Sequence, residues 1–491
     1  MATEGKPHIS VCVVGHVDAG KSTTTGHLLF KLGGYDQRTL DKLTKEAADN
    51  GKKGFEFAYV MDTEKAERER GVTIKSTSKE FFTPNYHYTI VDCPGHKDYI
   101  GNMISGSSTA EVAMLMFPAS KGAFETAIAK GDEEGVHEGQ TRQHARLLNI
   151  SGIKQVICCV NKIDDVPAAE AEARFNEIKD EAARMLAQAG YGGGKVENVL
   201  KTTPFIPISG FLGHNLTEKS DKLPWYKGYT VNKLDNTSMT GHTLLDALND
   251  YAQLPKRDDS KPLRMPVQSV LKMKIGTIVC GRLEQGVLKP GQMVKFVPSG
   301  IIAQAFSLEM HQKSLETAHA GDNIGINLKK FDKTPGRGEV MVLADENVFE
   351  VYEFTCQLKI EDHPGELKKG YSPQAMVRTA HAASSIQKIN WRMGKDTGKT
   401  KSTSEEHCKM IKQGDFAEVV FKPQKPLYLT TYEECEGLGR VAFLDSGRLV
   451  SVAKITSVTY LTPELKKQLD AQAKAEADAK RAAQQAAKKK K

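Results

Sequence analysis

Over its first half the chain alternates short apolar runs with long polar stretches. Residues 8–14, HISVCVV, are apolar almost throughout and stop at Gly15, which is the pattern of a strand buried on both faces that feeds a turn. A polar, helix-forming stretch follows over Lys21–Lys31. Further apolar runs at 88–91, 112–117 and 156–160 predict strands, and amphipathic stretches such as 168–189 predict the helices between them. Strands alternating with helices imply an α/β domain with a mostly parallel sheet over residues 1–255.

The pattern changes after residues 254–257, LPKR. From about 262 to 460, short strand-like runs are separated by glycine turns at Pro290-Gly291, Ser299-Gly300, Pro335-Gly336 and Pro364-Gly365, and long helical patterns disappear. Two antiparallel β-barrels are expected, over 256–346 and 347–462. Residues 463–491 are rich in Ala, Lys and Gln and end in four lysines; with no apolar stripe to bury, they predict a frayed, basic, helical tail.

Composition narrows the picture only a little. A chain of 491 residues is too long for one core, and 39% hydrophobic with 26% charged residues is ordinary for a folded soluble protein. No apolar run approaches the roughly 20 residues that span a bilayer. The N-terminus lacks an apolar signal region, so a cytoplasmic monomer without a membrane span is expected. Eight dispersed cysteines fit reduced, mostly buried thiols. A net charge of +7 suits a solvated surface as well as a nucleic-acid partner and decides neither.

The chemistry is concentrated in the loops after the predicted strands. Gly15-His16-Val17-Asp18-Ala19-Gly20-Lys21-Ser22, followed by Thr23, fits the phosphate-binding pattern G-x-x-x-x-G-K-[ST] between a strand and a helix. Its backbone amides can turn onto phosphate oxygens, Lys21 can reach the β and γ phosphates, and the Ser22 hydroxyl can ligate Mg²⁺. Asp92-Cys93-Pro94-Gly95-His96 follows another strand; Asp92 can hold the metal through water, and the Gly95 amide can approach the γ-phosphate. Asn161-Lys162-Ile163-Asp164 supplies a carboxylate that can accept from both the N1–H and the 2-amino group of guanine, a donor pair that adenine lacks. Asn161 suits the N7/O6 side, and the Lys162 stem can cover the base. Ser209-Gly210, followed by Phe211, is placed to close the base pocket with backbone amides.

Together these segments read as a site for GTP or GDP with Mg²⁺, in a P-loop GTPase domain that precedes two antiparallel β-barrels. The charge run ERERGVTI, 67–74, reads as a solvated face except at Thr73, whose hydroxyl can complete the Mg²⁺ shell while the γ-phosphate is present. His96 should orient the attacking water, with Val17 and Val72 shielding that water from the histidine until a partner moves it inward.

The stretches GHVDAGKSTTTGHL (15–28), ERERGVTI (67–74), DCPGHKDYI (92–100), GQTRQHARLL (139–148), NKID (161–164) and PISGF (207–211) resemble translational GTPases of the elongation factor Tu and eukaryotic elongation factor 1-alpha group. The resemblance continues through LKPGQMVKF (288–296), HAGDNIGIN (319–327) and GYSP (370–373). GRLEQG (281–286), INWRMGKDTG (389–398) and CEGLGRVAFLD (435–445) resemble the elongation factor-like proteins more closely still. The resemblance implies GTP hydrolysis, delivery of aminoacyl-tRNA to the ribosome, and reloading by a guanine-nucleotide exchange factor. It places Asn102 and Asn323 at the tRNA. Some relatives have an actin-binding role, here assignable to the basic tail. A termination or ribosome-rescue GTPase would share the nucleotide motifs. The chain departs from the family pattern at Gly101, where a lysine that contacts the tRNA 5′ end is usual. It also departs at Ser269 and Leu271, where an acidic residue and an aromatic are favoured, and at Phe211, where tryptophan is common.

Overall fold

The structure, a computed structural model, describes residues 6–472 except 53, 63–66, 69–72, 74–75, 97–98, 108, 131–138, 255–256, 275, 311–312, 362 and 364. Val72 and the tail beyond residue 472 therefore lie outside the described residues.

The first apolar run forms β1 (His8–Gly15), buried at every position, as a central parallel strand with helices on both faces must be. In chain order there follow α1 (Lys21–Lys31), α2 (Gln37–Asp49), α3 (Ala58–Met61), β2 (Thr77–Phe82), β3 (His87–Asp92), α4 (Ile100–Ser107), β4 (Val112–Pro118), α5 (Ala123–Ile128), α6 (Gln140–Ile150), β5 (Gln155–Asn161), α7 (Ala168–Gln188), α8 (Val196–Thr202) and β6 (Phe205–Pro207). The sheet order is β2-β3-β1-β4-β5-β6. Its pairings are parallel except at the β2 edge, which runs antiparallel to β3. The alternation of strand and helix missed β2 and a small hairpin of β7 (Tyr229–Asn232) and β8 (Ser238–Gly241), because both lie partly exposed and break the buried-strand pattern.

The first barrel comprises β9 (Met265–Met273), β10 (Gly276–Arg282), β11 (Met293–Val297), β12 (Ile301–Met310), β13 (Lys313–Leu315), β14 (Asn323–Lys329) and β15 (Val340–Leu343). It closes where β11 pairs with β12, leaving β13 as an appendix. The second barrel is built from β16 (Val351–Ile360), β18 (Gln374–Val377), β19 (Ala380–Met393), β21 (Phe416–Pro423), β22 (Arg440–Asp445) and β23 (Arg448–Tyr460). Here β17 (Leu367–Lys368) and β20 (Met410–Ile411) form a two-stranded clip outside it. Short strands were expected throughout, yet β19 has 14 residues and β23 has 13. Register shifts along both let a long strand bend around the barrel.

Each unit has its own apolar cluster. Met376, Ala442, Leu444 and Leu449 of the second barrel nevertheless pack into the cluster of the α/β domain. The seam with the first barrel is polar. Glu111, with its side chain 1% exposed, accepts from Arg257 at 3.1 Å and Arg282 at 3.0 Å.

Candidate nucleotide site

The loops singled out by sequence all follow strand carboxyl ends: Gly15 after β1, Gly95 after β3, Asn161 at the end of β5 and Ser209 after β6. In an open α/β sheet this is the edge at which ligands bind. The loop before α1 requires its glycines. A Cβ on Gly20, at φ 82°, would lie 2.2 Å from Asn161 Nδ2, and one on Gly95 would lie 2.4 Å from Lys21 Nζ. Gly95 therefore rests on the P-loop itself, which brings His96 into the same neighbourhood. The His96 ring is half-buried, its centroid 5.8 Å from that of Tyr99. His16, Val17, Asp18, Ala19 and Gly20 form the loop, with Asp18 left-handed at φ 60°, and Thr23 sits in the first turn of α1.

Lys21 is buried and donates to His16 O at 2.9 Å. Burial pulls its pKa down, while Asp92 and Asp18 oppose the shift. Asp92 is wholly buried, and no hydrogen-bond partner meets either carboxylate oxygen. Burial raises its pKa to about 6 even though Ser22 and Lys21 stand near enough to pull it down. Ser22 Oγ lies 3.2 Å from Thr73 Oγ1. Two hydroxyls and an unsatisfied carboxylate thus converge, a hard-oxygen set that fits Mg²⁺ held partly by water and phosphate. Among the described residues no group of three or more His, Cys, Asp or Glu forms a metal cage, so an ion here depends on the hydroxyls and on the nucleotide.

The charge run is not a solvated face where it is described. Glu67 is 1% exposed, and Arg68 donates to Asp62 O at 2.7 Å and lies over the Tyr59 ring. Asp62, which the motifs did not single out, accepts from Thr73 Oγ1 at 3.2 Å. Burial, then the charges of Asp92 and Glu67, raise its pKa from 3.8 to about 7. The folded protein therefore holds this proton more tightly than the unfolded chain does. Between about pH 4 and pH 7 folding takes up a proton, and stability falls as pH rises. In EDTA without nucleotide, Asp62→Asn is expected to raise thermal stability at pH 7.5 by about 1–3 kcal/mol and to add little at pH 4.5. A calorimetric gain of equal size at both pH values would refute that origin.

The base side departs from expectation in its amides. Asn161 is buried and bonded at both ends: Nδ2 donates to Ala19 O at 2.8 Å and Oδ1 accepts from Gly210 N at 2.8 Å. It ties the P-loop to the 209–211 loop, and only its second amide hydrogen is left over for guanine. The Ser209 amide bonds to His214 O at 3.2 Å, so neither Ser209 nor Gly210 offers a free N–H to the base. A buried side-chain amide has to be satisfied somewhere, and this loop satisfies it. His27, also missed, meets Gly210 O through Nδ1 at 2.9 Å and stacks on Phe57 at 4.0 Å. Asp164 is exposed in a 3₁₀ turn over Ile163–Asp165, preceded by the left-handed Lys162. Phe211, next to Gly210, is 48% exposed. Asp62 lies outside every motif quoted, and His27, although inside the 15–28 stretch, takes its role from Gly210, which is 183 positions away.

The two expected tRNA residues separate. Asn102 lies on α4 in the wall of an interdomain cleft, its carbonyl accepting the Ser76 hydroxyl at 3.1 Å. Asn323 instead sits in the seam with the first barrel and donates to Ser10 Oγ at 2.6 Å. The expected open pocket is not where this side chain points, since the closed seam offers its amide a partner.

Comparisons with known proteins agree with this geometry. A family model described as the elongation factor Tu GTP binding domain matches residues 6–254, one for elongation factor Tu domain 2 matches 276–341, and one described as GTP-eEF1A C-terminal domain-like matches 353–456. Elongation factor 1-alpha of Plasmodium falciparum is 44% identical over 92% of this chain and 96% of its own length. That of Tetrahymena pyriformis is 43% identical over 93% and 99%. Among solved structures, the Saccharomyces cerevisiae Ski7 GTPase-like domain bound to GTP has TM-score 0.71 at 16% identity, covering 92% of this chain and 97% of that one, a likeness of fold.

Proposed function

This chain belongs to the elongation factor Tu and elongation factor 1-alpha family of GTPases, and on that premise we propose that its GTP state carries aminoacyl-tRNA to the ribosomal A site. The protein is a GTPase of translation elongation. The observation that carries the finer reading is a cleft of about 620 Å³ where all three units meet. Its walls include Gly101, Asn102 and Ser105 of α4, Arg337 beside the first barrel, and Gln374, His381 and Lys425 of the second. Arg337 donates to Ser105 Oγ at 2.8 Å, so the first barrel reaches α4 directly. α4 follows the Asp92–His96 loop in the chain, so a change at the γ-phosphate moves one wall of the cleft. A site assembled from three units is open to an RNA end only when they are closed, which is what a nucleotide-controlled carrier requires.

Gly101 stands against Met376 of the second barrel, its Cβ position 3.6 Å from that side chain's Cε. Arg337 and Lys425 supply positive charge near the place where a lysine at 101 is usual. Phosphate contacts of this kind make binding weaken as salt rises. Ser22, Thr73 and Asp92 are the residues that would hold Mg²⁺, which when bound supplies positive charge to phosphate oxygens. Lys21 then neutralises the β and γ oxygens, and His96 orients the attacking water. An exchange factor and the ribosome are the partners this reading requires.

The purified protein is expected to slow spontaneous hydrolysis of the ester bond in aminoacyl-tRNA with a GTP analogue and not with GDP. Intact GTP binding without protection in either state would turn the reading to a termination or rescue GTPase. Among the described residues no helix is long and apolar enough to cross a membrane.

A further inference from the structure

Helix α6 is gripped at both ends by parts of the molecule outside its own layer. At its N-terminus Thr141 is fully buried, and its Oγ1 accepts the His16 backbone N–H at 3.1 Å. His16 is the second residue of the P-loop, so this hydroxyl holds the loop from beneath. Gly139, just before the helix, has no room for a side chain: a Cβ would lie 2.3 Å from Ala127 O. The missing side chain lets the start of the helix approach the body of the domain closely.

The other end faces the second barrel. Arg440 Nη1 approaches Asn149 O at 3.5 Å, and Arg378 Nη1 approaches Ser151 O at 3.4 Å. The last carbonyls of a helix carry its negative dipole end; that of Asn149 already accepts the Gly152 N–H at 3.1 Å, so Arg440 adds a charged contact to a capped group. α6 has no basic residue in its own last turn, so the barrel supplies the cations. Arg146, on the same helix, adds a longer tie to Glu361 at 3.7 Å.

Between its ends the helix is stiff. Eleven residues span ~16 Å at about 1.5 Å each. Arg142 fixes its side through Ile128 O at 3.0 and 3.1 Å, and Ala145 and Leu148 are buried in the core. The seam with the barrel combines apolar packing with polar ties. A void of about 20 Å³ lies there among Leu147, Ile150, Met376 and Ala442, and the arginine contacts are long and polar. Met376, Ala442, Leu444 and Leu449 of the barrel are buried against the α/β domain, so parting the seam exposes apolar surface and breaks the arginine contacts together.

We propose that α6 is a strut that couples the seating of the second barrel to nucleotide retention. With Arg378 and Arg440 on its C-terminus, the helix holds Thr141 beneath His16 and keeps the P-loop in its phosphate-binding shape. When the barrel leaves, that support slackens and nucleotide dissociates faster. Thr141, Arg378 and Arg440 are thus positioning residues that touch neither phosphate nor base.

The test is a double-mutant cycle on the full chain, read as dissociation of a fluorescent GDP. Arg378→Gln with Arg440→Gln is expected to speed release about five- to tenfold, within the usual range for coupled sites. Thr141→Val is expected to do the same. Because both act through one helix, the combined variant should release nucleotide no more than about twofold faster than Thr141→Val alone. Arg378→Lys with Arg440→Lys, and Thr141→Ser, keep the cations and the acceptor and should remain near the parent rate. Multiplying effects in the combined variant, or an unchanged rate in the arginine pair, would overturn the strut. Arg378 also pairs with Glu284 at 2.8 Å, so if the pair fails to fold, Arg440→Gln alone is read by the same criteria.

Discussion

Asp164→Asn is expected to strip this protein of its guanine nucleotide while leaving the fold intact. Asp164 is exposed in a 3₁₀ turn, and among the described contacts it supports no packing that the isosteric amide would disturb. Its carboxylate can accept from both guanine donors, whereas that of Asp165 in the same turn lies toward the Ser120 hydroxyl at 3.5 Å. Asn161 cannot substitute, because its oxygen is committed to Gly210 N. Two hydrogen bonds to a charged acceptor are worth about 1.5–3 kcal/mol each, so affinity for GDP should fall by about 10²- to 10⁴-fold. Asparagine presents an N–H where guanine also presents one. Xanthine carries an oxygen at that carbon, so xanthosine diphosphate should bind the variant better than GDP does. Calorimetric titration with both nucleotides decides it. GDP affinity within threefold of the parent would show that Asp164 does not read the base.

The second large effect is at His96. His96→Ala is expected to slow ribosome-stimulated GTP hydrolysis by about 10²- to 10⁴-fold, the usual contribution of one positioned proton-transfer or water-orienting group. Nucleotide affinity should change by less than threefold, because on the proposed reading the P-loop amides and Lys21, and not this ring, hold the phosphates. Single-turnover hydrolysis with saturating ribosomes separates the two. Unchanged hydrolysis would mean that another group orients the water and would remove His96 from the chemistry. Loss of affinity in parallel with hydrolysis would mean that the ring supports the pocket instead.

The nucleotide site was legible to the extent that its chemistry is local. G-x-x-x-x-G-K-S, DCPG and NKID each sit within one turn of a strand end, so pattern and spacing were enough to find them. The roles of individual residues inside those motifs were less legible. Asn161 reads as a base contact in the motif, yet its two ends join Ala19 to Gly210, 19 residues in and 210 residues in. Glu67 and Arg68 read as a solvated charge run, yet Glu67 is buried and Arg68 caps the backbone at Asp62. Asn323 reads as a tRNA contact by resemblance, yet its amide bonds to Ser10, more than 300 positions away in the chain.

What the sequence alone determined is the alternation of buried strands with helices, the change to barrels, and the guanine nucleotide; the partly exposed β2 and the β7–β8 hairpin were not among its elements. Buried-strand periodicity, glycine where the backbone must turn left-handed, and a carboxylate matched to guanine are all properties of a few neighbouring residues. Tertiary structure decided which polar groups are satisfied internally and which remain for a ligand. Asp92 is left without a hydrogen-bond partner while the Ser209 and Gly210 amides are taken up. It also decided that α6 joins the P-loop to the second barrel. Those outcomes depend on which buried donors meet which acceptors once three separate cores close on one another, and no local pattern encodes such a meeting.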